Sequence, residues 1–227
     1  MNPCWQTAIV SRLNTRGGAA VEIAFVLALT VGHRVVRVIP IDETVPILVL
    51  GWVSLWLRGS GWKGVGFATP ASWPRAIVLG SGAGVLLQVL SEFVTEPLIA
   101  HLTGQVADVS EFRPLVGNLK LLLLYFVVVW SWAAFGEELT YRGYVLNRAA
   151  DLGRGTPLAW VASLLFVTAL FGVGHSYQGL AGMIDTGIHG LILGLVYFVS
   201  GRNLWASIIA HGVGNTIALA MVFLGFL

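Results

Sequence analysis

Long apolar stretches alternate with short polar segments along most of this chain. A membrane-spanning helix needs about 20 predominantly apolar residues, and several stretches reach or approach that length. They run over residues 19–39, 43–57, 75–100, 115–149, 157–175, 180–200 and 204–227. The second is short for a crossing, and the fourth is long enough to continue past the bilayer. The pattern predicts an all-α, multi-pass integral membrane bundle of about seven to eight helices.

The pattern also predicts a simple domain organisation. Residues 1–18 are polar enough to form an N-terminal cytoplasmic or interfacial segment, and any eighth helix would have to come from it. Glu22 and the long apolar run around it do not fit a cleaved signal peptide. Residues 19–227 show no internal repeat and are expected to form a single transmembrane domain.

Composition strengthens the membrane assignment and excludes other classes. Only 11% of the 227 residues are charged, against about 25% in an ordinary soluble domain. A soluble enzyme, a disordered chain and a nucleic-acid-binding protein are therefore excluded. The net charge of +2 does not indicate an anionic partner. The single cysteine, Cys4, leaves no internal disulfide and no cysteine-rich metal site.

The distribution of basic residues predicts the orientation in the membrane. With the N-terminus in the cytoplasm, the inner loops carry nine Lys and Arg residues: Arg12, Arg16, Arg58, Lys63, Arg75, Arg142, Arg148, Arg154 and Arg202. The outer ends carry four, which are Arg34, Arg37, Arg113 and Lys120. This bias follows the positive-inside rule. It predicts a cytoplasmic N-terminus, in the plasma (inner) membrane if the source is prokaryotic.

Ionisable residues inside apolar segments are costly and are candidates for function. Glu137 and Glu138 are adjacent in the fourth segment, and Arg142 follows Glu138 by four residues. On an α-helix this spacing lets Glu138 and Arg142 meet on one face. Glu137 points about 100° away and lacks such a partner. The spacing therefore predicts a structural Glu138–Arg142 pair and leaves Glu137 free to act as a general base.

Two further motifs lie at the end of the fifth segment and in the last one. The fifth ends in Phe171-Gly-Val-Gly-His175, and the last contains His211-Gly-Val-Gly-Asn215. His211 and Asn215 lie four residues apart, so they share a face and can donate two hydrogen bonds to one oxyanion. The helical rise places Glu137 and His175 within about 6–7 Å of the same depth. We therefore expect these groups to line one polar cavity.

The other buried ionisable groups have structural explanations. Asp185 and His189 are spaced to pair with each other, although lining the cavity is a second possibility for them. Glu92 and Glu96 are expected at a solvated edge of the third helix. Glu22 and His33 are expected to pair with Arg34 or Arg37 of their own segment. Small residues allow close helix packing in membranes, and we expect such a face at Gly187, Gly190 and Gly194.

The three motifs resemble those of the CPBP family of intramembrane proteases, which comprises CAAX proteases and bacteriocin-processing (Abi) enzymes. Relatives include the Ras-converting CAAX prenyl endopeptidase. The family pattern is Glu-Glu-x-x-x-Arg, Phe-x-x-x-His and His-x-x-x-Asn/Asp, which stands here as 137–142, 171–175 and 211–215. The resemblance covers about residues 115–227, the expected catalytic core, and residues 1–114 carry no family signal.

The resemblance implies hydrolysis of a peptide bond near the cytoplasmic face. Glu137 would be the general base, and His175 would help to activate water. His211 and Asn215 would stabilise the oxyanion, with Glu138 and Arg142 supporting the site. The family is often labelled metalloprotease, and Glu137, His175 and His211 would be the ligands of a zinc ion. Metal-free catalysis is favoured because a metal leaves Asn215 without a clear task, but zinc stays open.

Two alternatives come from other classes of protein. A catalytically silent immunity or scaffold protein of the same fold is expected to lose motif residues, and none is lost here. A transporter of protons or small solutes often has repeated halves and broken helices, and no repeat is seen. A peptide or protein substrate, lipid-modified or membrane-bound, is the expected partner besides the bilayer. The sequence does not predict the substrate or the oligomeric state.

Overall fold

The fold is an all-α bundle with the composition of a multi-pass membrane protein. The computed structural model describes residues 10–226. Within this range the chain forms long helices and no strands, and six helices are long and apolar enough to span a membrane. A seventh, shorter apolar helix corresponds to the short second stretch. The predicted fold class is therefore confirmed.

The helices follow the predicted stretches closely, and we number them α1 to α7. Their bounds are α1 Arg16–Val35, α2 Thr44–Leu57, α3 Trp73–Thr103, α4 Leu119–Leu152, α5 Pro157–Gly174, α6 Gly179–Val199 and α7 Leu204–Leu224. Short 3₁₀ turns occupy Trp62–Val65, Ser110–Leu115 and Ser176–Gln178. Because α1 begins at Arg16, it takes in the last residues of the predicted 1–18 segment. The rest of that segment lies partly outside the described residues.

Polar side chains fix where several helices begin. The side chains of Ser72, Asn118 and Thr156 each accept a hydrogen bond from a backbone N–H in the first turn of α3, α4 and α5. Asn203 does the same for α7. Such N-caps satisfy backbone donors that would otherwise lack partners. The sharp turn between α4 and α5 uses Gly155, whose φ is +62°.

The middle of α4 departs from regular α-helical geometry. Residues Val129–Glu137 and Leu139–Val145 adopt the wider π-helical form, with Glu138 between them. Wide turns of this kind are rare and are often found at functional sites. In α4 they occupy the segment that carries the Glu137-Glu138 pair.

Glycines allow the close packing of α5 on α6, as the sequence predicted. A Cβ atom at Gly190 would lie 3.1 Å from the ring of Phe171, and one at Gly194 would collide with Leu164. Gly187 lies against Gly172 of α5. A similar close approach brings α3 onto α7, where a Cβ at Gly84 would lie 2.8 Å from Val213. These contacts hold the helices that surround the site.

The prediction that Glu22 and His33 pair with Arg34 or Arg37 of their own segment is wrong. Glu22 pairs with Arg58 at 2.8 Å and with Arg148 at 2.6 Å, joining α1 to the end of α2 and to α4. His33 lies 3.6 Å from Glu43 across the loop between α1 and α2. The reason is that inter-helix packing offers closer partners than neighbours along one helix do.

Candidate active site

Helices α4 to α7 bring the predicted site residues around one cavity. This main cavity has a volume of about 260 Å³. Its lining includes most of the predicted site residues: Glu137, Phe171, His175, Asp185, His189, His211 and Asn215. Glu138 and Arg142 do not line it, because both are completely buried behind its wall. The arrangement therefore separates the two adjacent glutamates into different environments.

Glu138 is the centre of a buried ion-pair network. Arg142 Nη1 donates to Glu138 Oε1 at 2.8 Å, and His211 Nδ1 lies 3.0 Å from the same oxygen. Arg142 Nη2 also donates to the carbonyl of Gly190 at 2.9 Å. This network ties α4 to α6 and α7. It gives Glu138 two positively polarised neighbours, so its carboxylate is strongly compensated.

Phe171 packs between the charged network and the cavity. The Arg142 guanidinium lies 4.4 Å from the centre of its ring, within cation–π range. The rings of His175 and His211 lie 5.0 Å and 6.0 Å from it. His175 Nδ1 is 2.9 Å from the Phe171 carbonyl. If Nδ1 donates to that carbonyl, Nε2 of His175 keeps a free lone pair, which can accept a proton.

Glu137 differs from Glu138 because it forms neither a salt bridge nor a hydrogen bond with a side chain in the described part of the chain. Its Oε2 is buried and has no hydrogen-bond partner in the described part of the chain. The side chain lines the main cavity and also a second one, and His175 is shared by both cavities as well. A buried carboxylate that lacks hydrogen bonds is costly. Glu137 and His175 thus occupy the place where two cavities meet.

The second cavity, which we call the polar cavity, has a volume of about 350 Å³. Its lining consists almost entirely of charged and aromatic residues: Arg34, Asp42, Glu43, Thr44, Glu111, Trp132, Glu137, Tyr141, Gly174, His175 and Tyr177. Partial burial, together with the Asp108 carboxylate, raises the pKa of Glu111 above its ordinary value. These walls are suited to water rather than to a lipid chain.

The residues that line the polar cavity beside Glu137 were not predicted, because the spacing of residues along one helix does not reveal them. Asp42 and Glu43 lie in the loop before α2, and Arg34 donates to Asp42 at 2.7 Å and to Glu43 at 2.9 Å. Tyr141 lies one helical turn beyond Glu137 on α4. The sequence does contain a polar run at 42–44 directly before an apolar helix. Only the tertiary structure shows that this run lies beside the site.

The expectation that Glu92 and Glu96 lie at a solvated edge is wrong. Both are only partly exposed, and both line the main cavity near Asp185. The reason is that α3 contains a wide turn at Ser91–Thr95, where the hydroxyls of Ser91 and Thr95 donate hydrogen bonds to Asp185 of α6. Asp185 and His189 lie 3.4 Å apart, as their spacing predicted, and they line the cavity too.

A zinc ion held by Glu137, His175 and His211 does not fit the observed side chains. Tetrahedral ligands lie about 2.0–2.2 Å from zinc and therefore close to one another. Among the described residues, three ligand atoms within 4.8 Å of one another occur only at His33, Asp42 and Glu43. There the Arg34 guanidinium already takes the place of a cation. His211 Nδ1 is also occupied by Glu138.

The open end of the site lies at one end of the bundle. The polar cavity is bounded by the loop after α1, by Glu111 between α3 and α4, and by residues 174–177 after α5. The basic turn at 153–156 joins α4 to α5, and the basic turn at 201–203 joins α6 to α7. Both turns lie at the opposite end of the bundle from the polar cavity. If the N-terminus is cytoplasmic, as the charge count predicts, the cavity's end lies on the outer side. Two expectations, a cytoplasmic N-terminus and a cytoplasmic reaction, therefore exclude each other.

Fold and site together define a multi-pass integral membrane protein with a polar, acid-lined cavity among its helices. Residues 119–217 match a family model described as Type II CAAX prenyl endopeptidase Rce1-like. All three motifs fall within the matched range, and the match confirms the resemblance to CAAX proteases. This family is one of proteases. Searches of curated proteins and of solved structures gave no match.

Proposed function

We propose that this protein is an intramembrane endopeptidase that hydrolyses a peptide bond at the junction of the two cavities. The observation that carries the proposal is the position of Glu137, which lines both cavities beside His175 and whose buried Oε2 has no hydrogen-bond partner among the described residues. The polar cavity can supply water, and the main cavity can hold a peptide. The family match supports the reaction class.

In the proposed reaction Glu137 removes a proton from water while the water oxygen attacks the peptide carbonyl carbon. His175 orients the same water through Nε2, because its Nδ1 faces the Phe171 carbonyl. Glu137 then passes the proton to the leaving nitrogen as the carbon–nitrogen bond breaks. A carboxylate that is free of hydrogen bonds is better suited to this cycle than one held by an arginine.

His211 and Asn215 are the proposed donors to the oxyanion. Both line the main cavity on one face of α7. His211 has one nitrogen against Glu138, so it can donate to an oxyanion through Nε2 only when both nitrogens carry a proton. Glu138 and Arg142 thus act on the reaction through His211 and are positioning residues.

No metal takes part in this scheme, because the side chains that would bind zinc do not converge. The catalytically silent and transporter alternatives are not favoured by any specific contact. Lipid-modified and unmodified peptides both remain candidate substrates, since the cavity carries no feature that reads a prenyl group.

The side of the membrane follows from the orientation of the chain. If the N-terminus is cytoplasmic, as the charge count predicts, the open end of the site faces the outer side. The cytoplasmic reaction implied by the resemblance would need the opposite orientation. We propose the orientation given by the charges, because it depends on residues of this chain.

Comparative proteomics tests the proposed function even though the substrate is unidentified. Cells with the wild-type chain are compared with cells that carry Glu137→Ala, and new peptide N-termini are mapped by mass spectrometry. We expect a set of N-termini that only the wild-type cells produce. Identical sets of N-termini from both cells, at equal protein levels, would contradict the proposal.

A further inference from the structure

The main cavity has an acidic wall that the proposed mechanism does not use. Glu92 and Glu96 of α3 and Asp185 of α6 line the cavity away from Glu137. We call these three residues the acidic wall. All three lie in helices that are apolar enough to span a membrane, where a carboxylate is costly and usually serves a function.

Hydrogen bonds hold the acidic wall in place. Ser91 Oγ lies 3.0 Å from Asp185 Oδ2 and 3.3 Å from Glu96 Oε1. Thr95 donates to the other oxygen of Asp185, and Gln88 donates to Glu92 at 2.8 Å. The carboxylates are therefore oriented by neutral donors, which keep them in position but do not cancel their charge.

No cation of the described chain balances these carboxylates. The lining of the main cavity contains four acidic side chains, including Glu137, and neither a Lys nor an Arg. No described Lys or Arg forms an ion pair with the acidic wall, and the basic group recorded in a salt bridge with it is His189, whose Nε2 lies 3.4 Å from Asp185 Oδ2. Asp185 is only 7% exposed. Like charges brought together in a poorly solvated space repel each other.

A second observation also points to a ligand. Glu137 lines the same cavity, and its buried Oε2 has no hydrogen-bond partner among the described residues. Apolar side chains, including Leu87, Val129, Leu219 and Val222, line other parts of the same cavity. A ligand that satisfies both kinds of lining presents a positive charge together with an apolar surface.

We propose that the acidic wall selects peptide substrates that carry a Lys or Arg side chain close to the cleaved bond. The ammonium or guanidinium group lies against Glu96 and Asp185, and apolar side chains of the peptide face α4 and α7. This inference rests on the proposed peptidase function and adds the substrate class to it.

The test uses purified protein and a pool of blocked apolar peptides of equal length. Each peptide carries Lys, norleucine or Glu at one position, and mass spectrometry maps the cleavage and its rate. We expect Lys peptides to be cleaved at least about tenfold faster than norleucine peptides, because a charge-assisted contact in a partly desolvated cavity is strong. Glu peptides should be the poorest substrates.

Variants of the acidic wall test whether it causes the preference for Lys peptides. Asp185→Asn and Glu96→Gln, made as two separate variants, should each bring the Lys-to-norleucine rate ratio close to one. Because there are two variants, the test can still be made if one of them is unstable. Asp151→Asn removes an exposed carboxylate at the far end of α4 and should keep the wild-type ratio. A ratio near one in the wild type, or equal ratios in all variants, overturns the inference.

Failure of the inference is distinguishable from failure of the proposed function. Cleavage without a Lys preference leaves the peptidase proposal intact and removes only the acidic wall's role. If no peptide is cleaved, binding of fluorescent Lys and norleucine peptides to the wild-type protein is compared by anisotropy. Tighter binding of the Lys peptide supports the wall as a cation-binding surface, and equal binding overturns it.

Discussion

The buried pair Glu138–Arg142 makes a quantitative prediction about stability. Both side chains are 0% exposed, and Arg142 also binds the Gly190 carbonyl and packs on Phe171. Replacing Arg142 by leucine would leave the Glu138 carboxylate buried without its arginine, with the imidazole of His211 as its remaining hydrogen-bond partner. Removing one partner of a buried ion pair typically costs about 3–5 kcal/mol. We expect Arg142→Leu to lose stability in this range.

A double-mutant cycle tests the physical cause. Because Glu138→Gln removes the uncompensated charge, the double variant Glu138→Gln with Arg142→Leu should be more stable than Arg142→Leu alone. Unfolding is followed in one detergent by circular dichroism, with Arg113→Leu as a control at an exposed position. The control should change stability by less than about 0.5 kcal/mol.

Two outcomes would refute the reasoning. A loss below about 1 kcal/mol for Arg142→Leu would show that the pair does not compensate a costly buried charge. A double variant less stable than the single Arg142→Leu variant would show that the uncompensated charge of Glu138 is not the cause. Either result would also weaken the role of this network in holding His211.

Three further predictions follow from the packing, the donor geometry and the charge distribution. Gly212→Ala should lower the free energy of unfolding by about 1–3 kcal/mol, because its Cβ would lie 2.6 Å from the Trp130 ring. Gly214→Ala, whose Cβ would lie 3.6 Å from its nearest neighbour, should keep the wild-type melting temperature. A chelator should leave peptide hydrolysis by the purified protein unchanged, and restoration of a lost rate by added zinc would contradict this. In a Cys4→Ser background, Asp108→Cys should react with an impermeant maleimide in intact cells, and labelling only after lysis would reverse the proposed orientation.

Much of the fold was predictable because membrane helices are encoded locally. The apolar stretches alone give the bounds of the helices within a few residues. The spacing of Glu138 and Arg142 likewise predicted their ion pair, which is observed at 2.8 Å. Contacts between neighbours on one helix depend only on helical geometry, so the sequence is sufficient to predict them.

Contacts between distant helices were not predictable from spacing. Glu22 pairs with Arg58 and Arg148, which are far away in sequence, and His211 reaches Glu138 across the bundle. The wide turn at Ser91–Thr95 of α3 makes hydrogen bonds to Asp185 of α6 and is followed directly by Glu96, which lines the cavity, although the sequence contains no clear signal for this turn. Such features depend on the packing of whole helices, and local patterns do not encode them.

The central claim is that Glu137, and not its ion-paired neighbour, is the base. The most direct measurement is the hydrolysis rate of purified Glu137→Gln against wild type on one cleaved peptide, with a thermal melt of both proteins. We predict a rate loss of about 10²–10⁴-fold, the usual contribution of a general base, with an unchanged melting temperature. Hydrolysis within about threefold of the wild-type rate would lie far outside that range and would contradict the account.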